Sequence, residues 1–335
     1  MTQHLQKNLV NNISDTLRFL AKPFSIAIMS LFVIITTLGT LQASASTPTV
    51  NVVSSIKPIQ LITTAIVGDL GESTILLPPT ANPHNYQLRP SQRALLNNAD
   101  LFIWVGPELE LFLVKVLSTA SVKQISLIQA LDLRPERPTI HHNQRHSNEN
   151  HHHDDHNQSE TNDNGSFDPH IWLNPALAEE IANVIYQHLS VQYPTLEPQF
   201  NINLRQFITQ LHIAENEVAA LFESKNQIAI YTFHEAFTHF ADHYGLAITG
   251  TITQTPEARP GAKHLSMLTQ EIRQNQKICL VKEPNFKAPY VESITRGTEV
   301  IITTADPLAT NIDNSATGYF EFIKSIANSF YKCSQ

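Results

Sequence analysis

The chain reads as an α/β protein of two lobes, each with a parallel sheet, joined by a long rigid helix. Three observations predict this. Short β-type runs alternate with helical patterns early in the chain, and the alternation returns in the last third. A helical stretch without strands separates the two regions. With 335 residues, 42% of them apolar and 16% charged, the chain is too long for one small domain and rich enough in apolar side chains for two cores.

Residues 50–53, 74–77 and 101–105 read as strands, with helical patterns between them at 58–67 and 91–99. Ser91 is the expected N-cap of the second helix. This rhythm means parallel strands with crossover helices. Asn174-Pro175, a capping residue followed by proline in the first turn, starts a helix over 176–189. After Pro194, a longer pattern places Leu204, Phe207, Ile208, Leu211, Ala214, Val218 and Leu221 on one stripe over about 25 residues. A helix that long makes a stiff connector. Strands at 228–231, 247–251, 278–281 and 300–303 then alternate with helices at 235–244, 264–274, 289–296 and 319–331. The expected divisions are an N-terminal lobe over 46–173, a helical connector over 174–225 and a C-terminal lobe over 226–335.

The first 45 residues read as an export signal. Lys7, Arg18 and Lys22 precede an apolar stretch over 24–41 that ends in Ala43-Ser44-Ala45, a small-x-small cleavage pattern. A membrane anchor is the competing reading, but the run is near the lower limit for a bilayer span and contains Ser and Thr. Cleavage sends a periplasmic protein to an oxidising compartment, where a pair of cysteines is more often a disulfide than a metal site. Cys279 and Cys333 are therefore expected to be bonded, stapling the last helix to the second lobe.

Acids outnumber bases 30 to 22, and the net charge of −8 argues against a nucleic-acid partner. Loss of the leader removes three bases and one acid, which moves the charge to −10. Histidine is in excess, with sixteen residues. Seven of them (His141, His142, His146, His151, His152, His153 and His156) lie in an acidic, polar insert over 138–166 that lacks the apolar residues to fold alone. With Asp154 and Asp155 they could bind zinc weakly, in several arrangements.

Three other histidines sit at strand or helix ends. His84 follows the second strand, His170 precedes a helix, and His234 ends a strand. Ligand sites in open α/β sheets lie beyond the carboxyl ends of strands, so these imidazoles could converge on a borderline metal such as Zn²⁺. Asp306, just past the last strand, is a fourth candidate. His234-Glu235 resembles the start of a zinc-protease helix, but the next histidine, His239, is five residues away and off that face.

Local motifs extend this reading. They include Pro83-His84-Asn85-Tyr86, Leu88-Arg89-Pro90-Ser91, Trp104-Val105-Gly106-Pro107-Glu108, His170-Ile171-Trp172-Leu173 and Phe233-His234-Glu235-Ala236-Phe237. Glu283-Pro284-Asn285-Phe286 and Asp306-Pro307-Leu308 follow in the same order. With these motifs the chain, from about Val50 to Cys333, resembles the substrate-binding proteins of ABC importers for zinc and manganese, closest to their periplasmic zinc-binding branch.

The resemblance implies metal held in the cleft between the lobes and delivered to an inner-membrane ABC permease by a monomeric carrier that is not an enzyme. It places the first three ligands on His84, His170 and His234. A carboxylate stands at the third position in manganese-type relatives, so His234 favours zinc over a manganese carrier. Some relatives carry a glutamate just before the first histidine, where this chain has Pro83. Water or Asp306 is left to complete a tetrahedron, unless Asp306 only supports a ligand or lines the cleft. An exported zinc hydrolase is the alternative of a different class. It would need an open coordination position and a base such as Glu235 or Asp306.

Overall fold

The computed structural model describes residues 49–133, 167–223, 228–284 and 291–334. The export signal over 1–45 and the insert over 138–166, with its seven histidines, lie outside them. No helix among the described residues is long and apolar enough to cross a membrane.

Two four-stranded sheets, every strand parallel to its neighbours, form the two lobes. The first contains β1 (Val50–Ser54), β2 (Gly71–Ile75), β3 (Leu101–Trp104) and β4 (Gln124–Ser126), in the order β2-β1-β3-β4. The second contains β5 (Ala229–His234), β6 (Ile248–Thr253), β7 (Lys277–Lys282) and β8 (Glu299–Thr304), in the order β6-β5-β7-β8. Both sheets therefore reverse direction beside their first strand, between β1 and β3 and between β5 and β7. A crevice opens at such a switch point, beyond the carboxyl ends of the strands.

The expected strands are present, with β2 shifted towards the N-terminus. It begins at Gly71, where a Cβ would lie 1.9 Å from the Val50 carbonyl oxygen, so only glycine permits this pairing. Three elements escaped the sequence patterns: α3 (Leu111–Leu117), β4 and α4 (Leu127–Ala130). All are seven residues or fewer, shorter than the window of about 11 residues over which a helical period can be recognised.

Helix α1 (Lys57–Val67) crosses from β1 to β2 with nine of its eleven residues buried, Pro58 at its start. Helix α2 covers Pro90–Asn97, so Ser91 lies inside the first turn and does not cap it. Proline pre-sets the first turn, and Gln92 Oε1 accepts the Arg89 N–H at 2.8 Å. Asn174 caps α5 (Pro175–Gln192) as expected, its Oδ1 accepting the Ala176 N–H at 2.9 Å.

Helix α6 (Glu197–Phe222) is the long connector, 26 residues with Phe200, Leu204, Phe207, Leu211, Ala214 and Val218 buried. It packs against α1 and α5 on one side and against α10 (Gly318–Tyr331) on the other. In the second lobe, α7 (Thr238–His243) is shorter than the expected helix over 235–244. A turn from the His234 carbonyl to the Ala236 N–H intervenes, which leaves His234 on its strand. Helix α8 (Ala262–Gln274) covers one face of the second sheet through Leu268 and Ile272, and α10 covers the other. A disulfide joins Cys279 in β7 to Cys333 just past α10.

The lobes are also tied side chain to backbone. The Trp172 indole N–H donates to the Pro307 carbonyl at 2.8 Å, and the Tyr319 hydroxyl donates to the Trp172 carbonyl at 2.8 Å. Both rings are fully buried.

Candidate metal centre

His234 is the last residue of β5, beside β7, at the switch point of the second sheet. His84 lies in the loop that follows β2. His170 immediately precedes a 3-10 turn over Ile171–Leu173. Two of these loops are built alike. In Asn82-Pro83-His84 the asparagine Oδ1 accepts the His84 N–H at 2.9 Å, and in Asp168-Pro169-His170 the aspartate Oδ1 accepts the His170 N–H at 2.9 Å. An Asx side chain that bonds the backbone two residues on, with proline fixing φ between, turns the chain tightly and presents the third side chain.

The three histidines meet. One donor atom from each of His84, His170 and His234 lies within 4.8 Å of the others. His170 and His234 are almost fully buried, with 2% and 1% of their surface exposed. Their Nε2 atoms are 3.4 Å apart. His84 closes the triangle, its ring centroid 5.3 Å from that of His170 and 5.8 Å from that of His234. His84 Nε2 is buried and has no hydrogen-bond partner among the described residues.

Burial favours the neutral form of His84 and His170. Burial, with His170 and His234 close by, pulls the His84 ring down to about 3 from its ordinary 6.5. Burial likewise lowers His170, against the opposing pull of Asp168. Burial pushes the Asp168 carboxyl up, but the His170 ring and amide outweigh it and bring it down to about 2.

Sequence patterns missed two carboxylates here. Asp168 Oδ1 also accepts the His170 Nδ1–H at 2.6 Å, and Glu283, just past β7, accepts the His234 Nδ1–H. The signals were present: an acid two residues before a ligand, and an acid at the end of the neighbouring strand. His239, which drew attention only through its spacing from His234, donates from Nε2 to the Asp168 carbonyl at 2.8 Å and braces the His170 turn. Glu235 is half-buried, and burial and Asp168 raise its carboxyl above its ordinary range.

Asp306 does not join the triangle. Its Oδ1 accepts the Leu308 N–H at 3.0 Å and its Oδ2 accepts the Thr310 N–H at 2.7 Å, and among the described residues the donor atoms gathered within 4.8 Å of one another come from the three histidines without it. Asp306-Pro307-Leu308 is another Asx-Pro turn, with a leucine where the turns of His84 and His170 carry histidine.

Comparison with known proteins agrees with this architecture. The profile of the ZnuA family, "Zinc-uptake complex component A periplasmic", matches residues 52–333. The high-affinity zinc uptake system protein ZnuA of Yersinia pestis is 34% identical over 287 residues, covering 84% of this chain and 90% of that protein. Its counterpart in Haemophilus ducreyi is 33% identical over 292 residues, covering 84% and 93%. A crystal structure of ZnuA superposes with a TM-score of 0.67 at 23% identity, covering 86% of this chain and all of that one. A zinc-bound ZnuA deletion mutant gives the same TM-score at 24% identity, covering 86% and 98%. The chain belongs to the ZnuA family of periplasmic zinc-uptake components.

Proposed function

We propose that this chain is the zinc-binding component of an ABC importer, which captures Zn²⁺ in the cleft on His84, His170 and His234 and passes it to an inner-membrane permease. The observation that carries the reading is the buried triangle of imidazole donors, with His170 Nε2 and His234 Nε2 3.4 Å apart. Two nitrogens bound to one zinc at 2.0–2.1 Å with a tetrahedral angle are about 3.3 Å apart. Three imidazoles with no carboxylate among them suit zinc better than manganese.

We assign the fourth position to water, because Asp306 is outside the group of donor atoms that lie within 4.8 Å of one another and its oxygens face the Leu308 and Thr310 amides. The chain acts as a carrier and not as an enzyme. Residues 1–45 direct export and are removed, 46–173 and 226–335 form the lobes, and 174–225 the connector. The seven insert histidines bind zinc more weakly than the cleft, because a segment whose sequence lacks the apolar residues to fold alone loses entropy when its side chains are gathered on a metal. Competition titration against a zinc chelator tests the reading. One tight equivalent should survive deletion of 138–166, and loss of that equivalent on deletion would refute the cleft assignment.

A further inference from the structure

We infer that Glu283 and Asp168 are positioning residues of the zinc site, each holding the Nδ1–H of one ligand imidazole so that its Nε2 lone pair points at the metal. The inference rests on the cleft reading above. A neutral imidazole carries one N–H, and the nitrogen that bears it is set by the partner it meets. Asp168 Oδ1 lies 2.6 Å from His170 Nδ1, and Glu283 Oε1 contacts His234 Nδ1. A carboxylate oxygen accepts, so a neutral imidazole in this geometry donates from Nδ1 and keeps its lone pair on Nε2.

Those lone pairs face each other at 3.4 Å inside the protein. Two acceptors at that distance repel, and a cation between them removes the conflict. Asp168 and Glu283 are 8% and 3% exposed, so their contacts with the two rings are shielded from competing water. The two supports are built differently. Asp168 comes from the turn that presents His170, and His239 braces its carbonyl from α7. Glu283 comes from the neighbouring strand, 49 residues along the chain from His234. Both are therefore independent handles on the same metal.

The test uses the full chain with Glu283→Gln, Glu283→Ala and Asp168→Asn, beside His234→Ala. Glutamine keeps an oxygen for the His234 Nδ1–H and removes only the charge, whereas alanine removes both. Outer carboxylates of this kind are worth about 10–100-fold in metal affinity, so zinc affinity should fall about 10-fold in Glu283→Gln and by up to about 100-fold in Glu283→Ala. The visible spectrum of the Co²⁺-loaded protein should change in Glu283→Ala, a signature that a residue merely supporting the fold would not move. Thermal melting of the metal-free variants checks that they fold. Affinities within about twofold of the parent and an unchanged Co²⁺ spectrum, alongside lost binding in His234→Ala, would overturn the positioning role alone. Retained binding in His234→Ala as well would overturn the cleft reading beneath it.

Discussion

His170 Nε2 lies 3.4 Å from His234 Nε2, and the rest of the centre can be understood from that contact. The two residues are 64 positions apart in sequence, one on an Asx-Pro turn and the other at the end of a central strand.

Asp306 is a turn residue in this account, so its removal should separate stability from binding. Asp306→Ala leaves the Leu308 and Thr310 amides without their acceptor and should cost about 1–2 kcal/mol. Urea unfolding measures that loss. Zinc titration of the same variant should give the parent's affinity, whereas a ligand role would make affinity collapse.

Trp172 joins the lobes at the very segment that carries His170, its ring centroid 5.2 Å from the imidazole. Trp172→Phe leaves the Pro307 carbonyl without its donor and a gap beside the smaller ring. Stability should fall by about 2–4 kcal/mol in denaturant unfolding.

Glu110 provides a pH test away from the metal. It is fully buried, and burial pushes its carboxyl from 4.5 up to about 7 against the Ser55 hydroxyl and the Gly106 and Val105 amides. Between those pH values the folded protein holds more protons than the unfolded chain. This contribution to stability is therefore complete below about pH 4.5 and is lost as pH rises through 7. Glu110→Gln keeps an oxygen for the Val105 and Gly106 N–H groups and has no proton to lose. Relative to the parent, the variant should gain on the order of 3 kcal/mol between pH 4.5 and 8, read from unfolding at each pH.

The disulfide closes a loop with a sequence separation of 54 between Cys279 and Cys333. Replacing both cysteines with alanine should lower stability by about 4 kcal/mol on chain-entropy grounds. Calorimetry under oxidising conditions measures it. Zinc stoichiometry should stay unchanged, since the bridge ties β7 to the end of α10 and touches no ligand.

Much of this architecture could be read in the sequence, for reasons that differ by element. The long helix was legible because α6 keeps one apolar stripe for seven turns, although the stripe alone does not separate a connector from a core helix of one lobe. The disulfide was legible from compartment alone. β4 was not, because three residues with one buried isoleucine carry no pattern. The meeting of His84, His170 and His234 was legible from their positions at strand and helix ends, but the carboxylates beside them were not. Glu283 reaches His234 only through the parallel pairing of β5 with β7, a relationship that sequence spacing does not encode. Asp306 shows what an Asx-Pro turn does with its first residue. An Asx-Pro turn presents its third residue, and at this turn the third residue is Leu308, while the aspartate itself faces the backbone.

The most direct measurement is zinc affinity by chelator competition in the chain lacking 138–166, with His84→Ala, His170→Ala and His234→Ala made in turn. Removing a ligand should cost more than the 10–100-fold attached to an outer carboxylate, so each variant should lose the single tight equivalent by more than about 100-fold. If all three variants keep the parent's affinity, zinc does not bind in the cleft between these histidines.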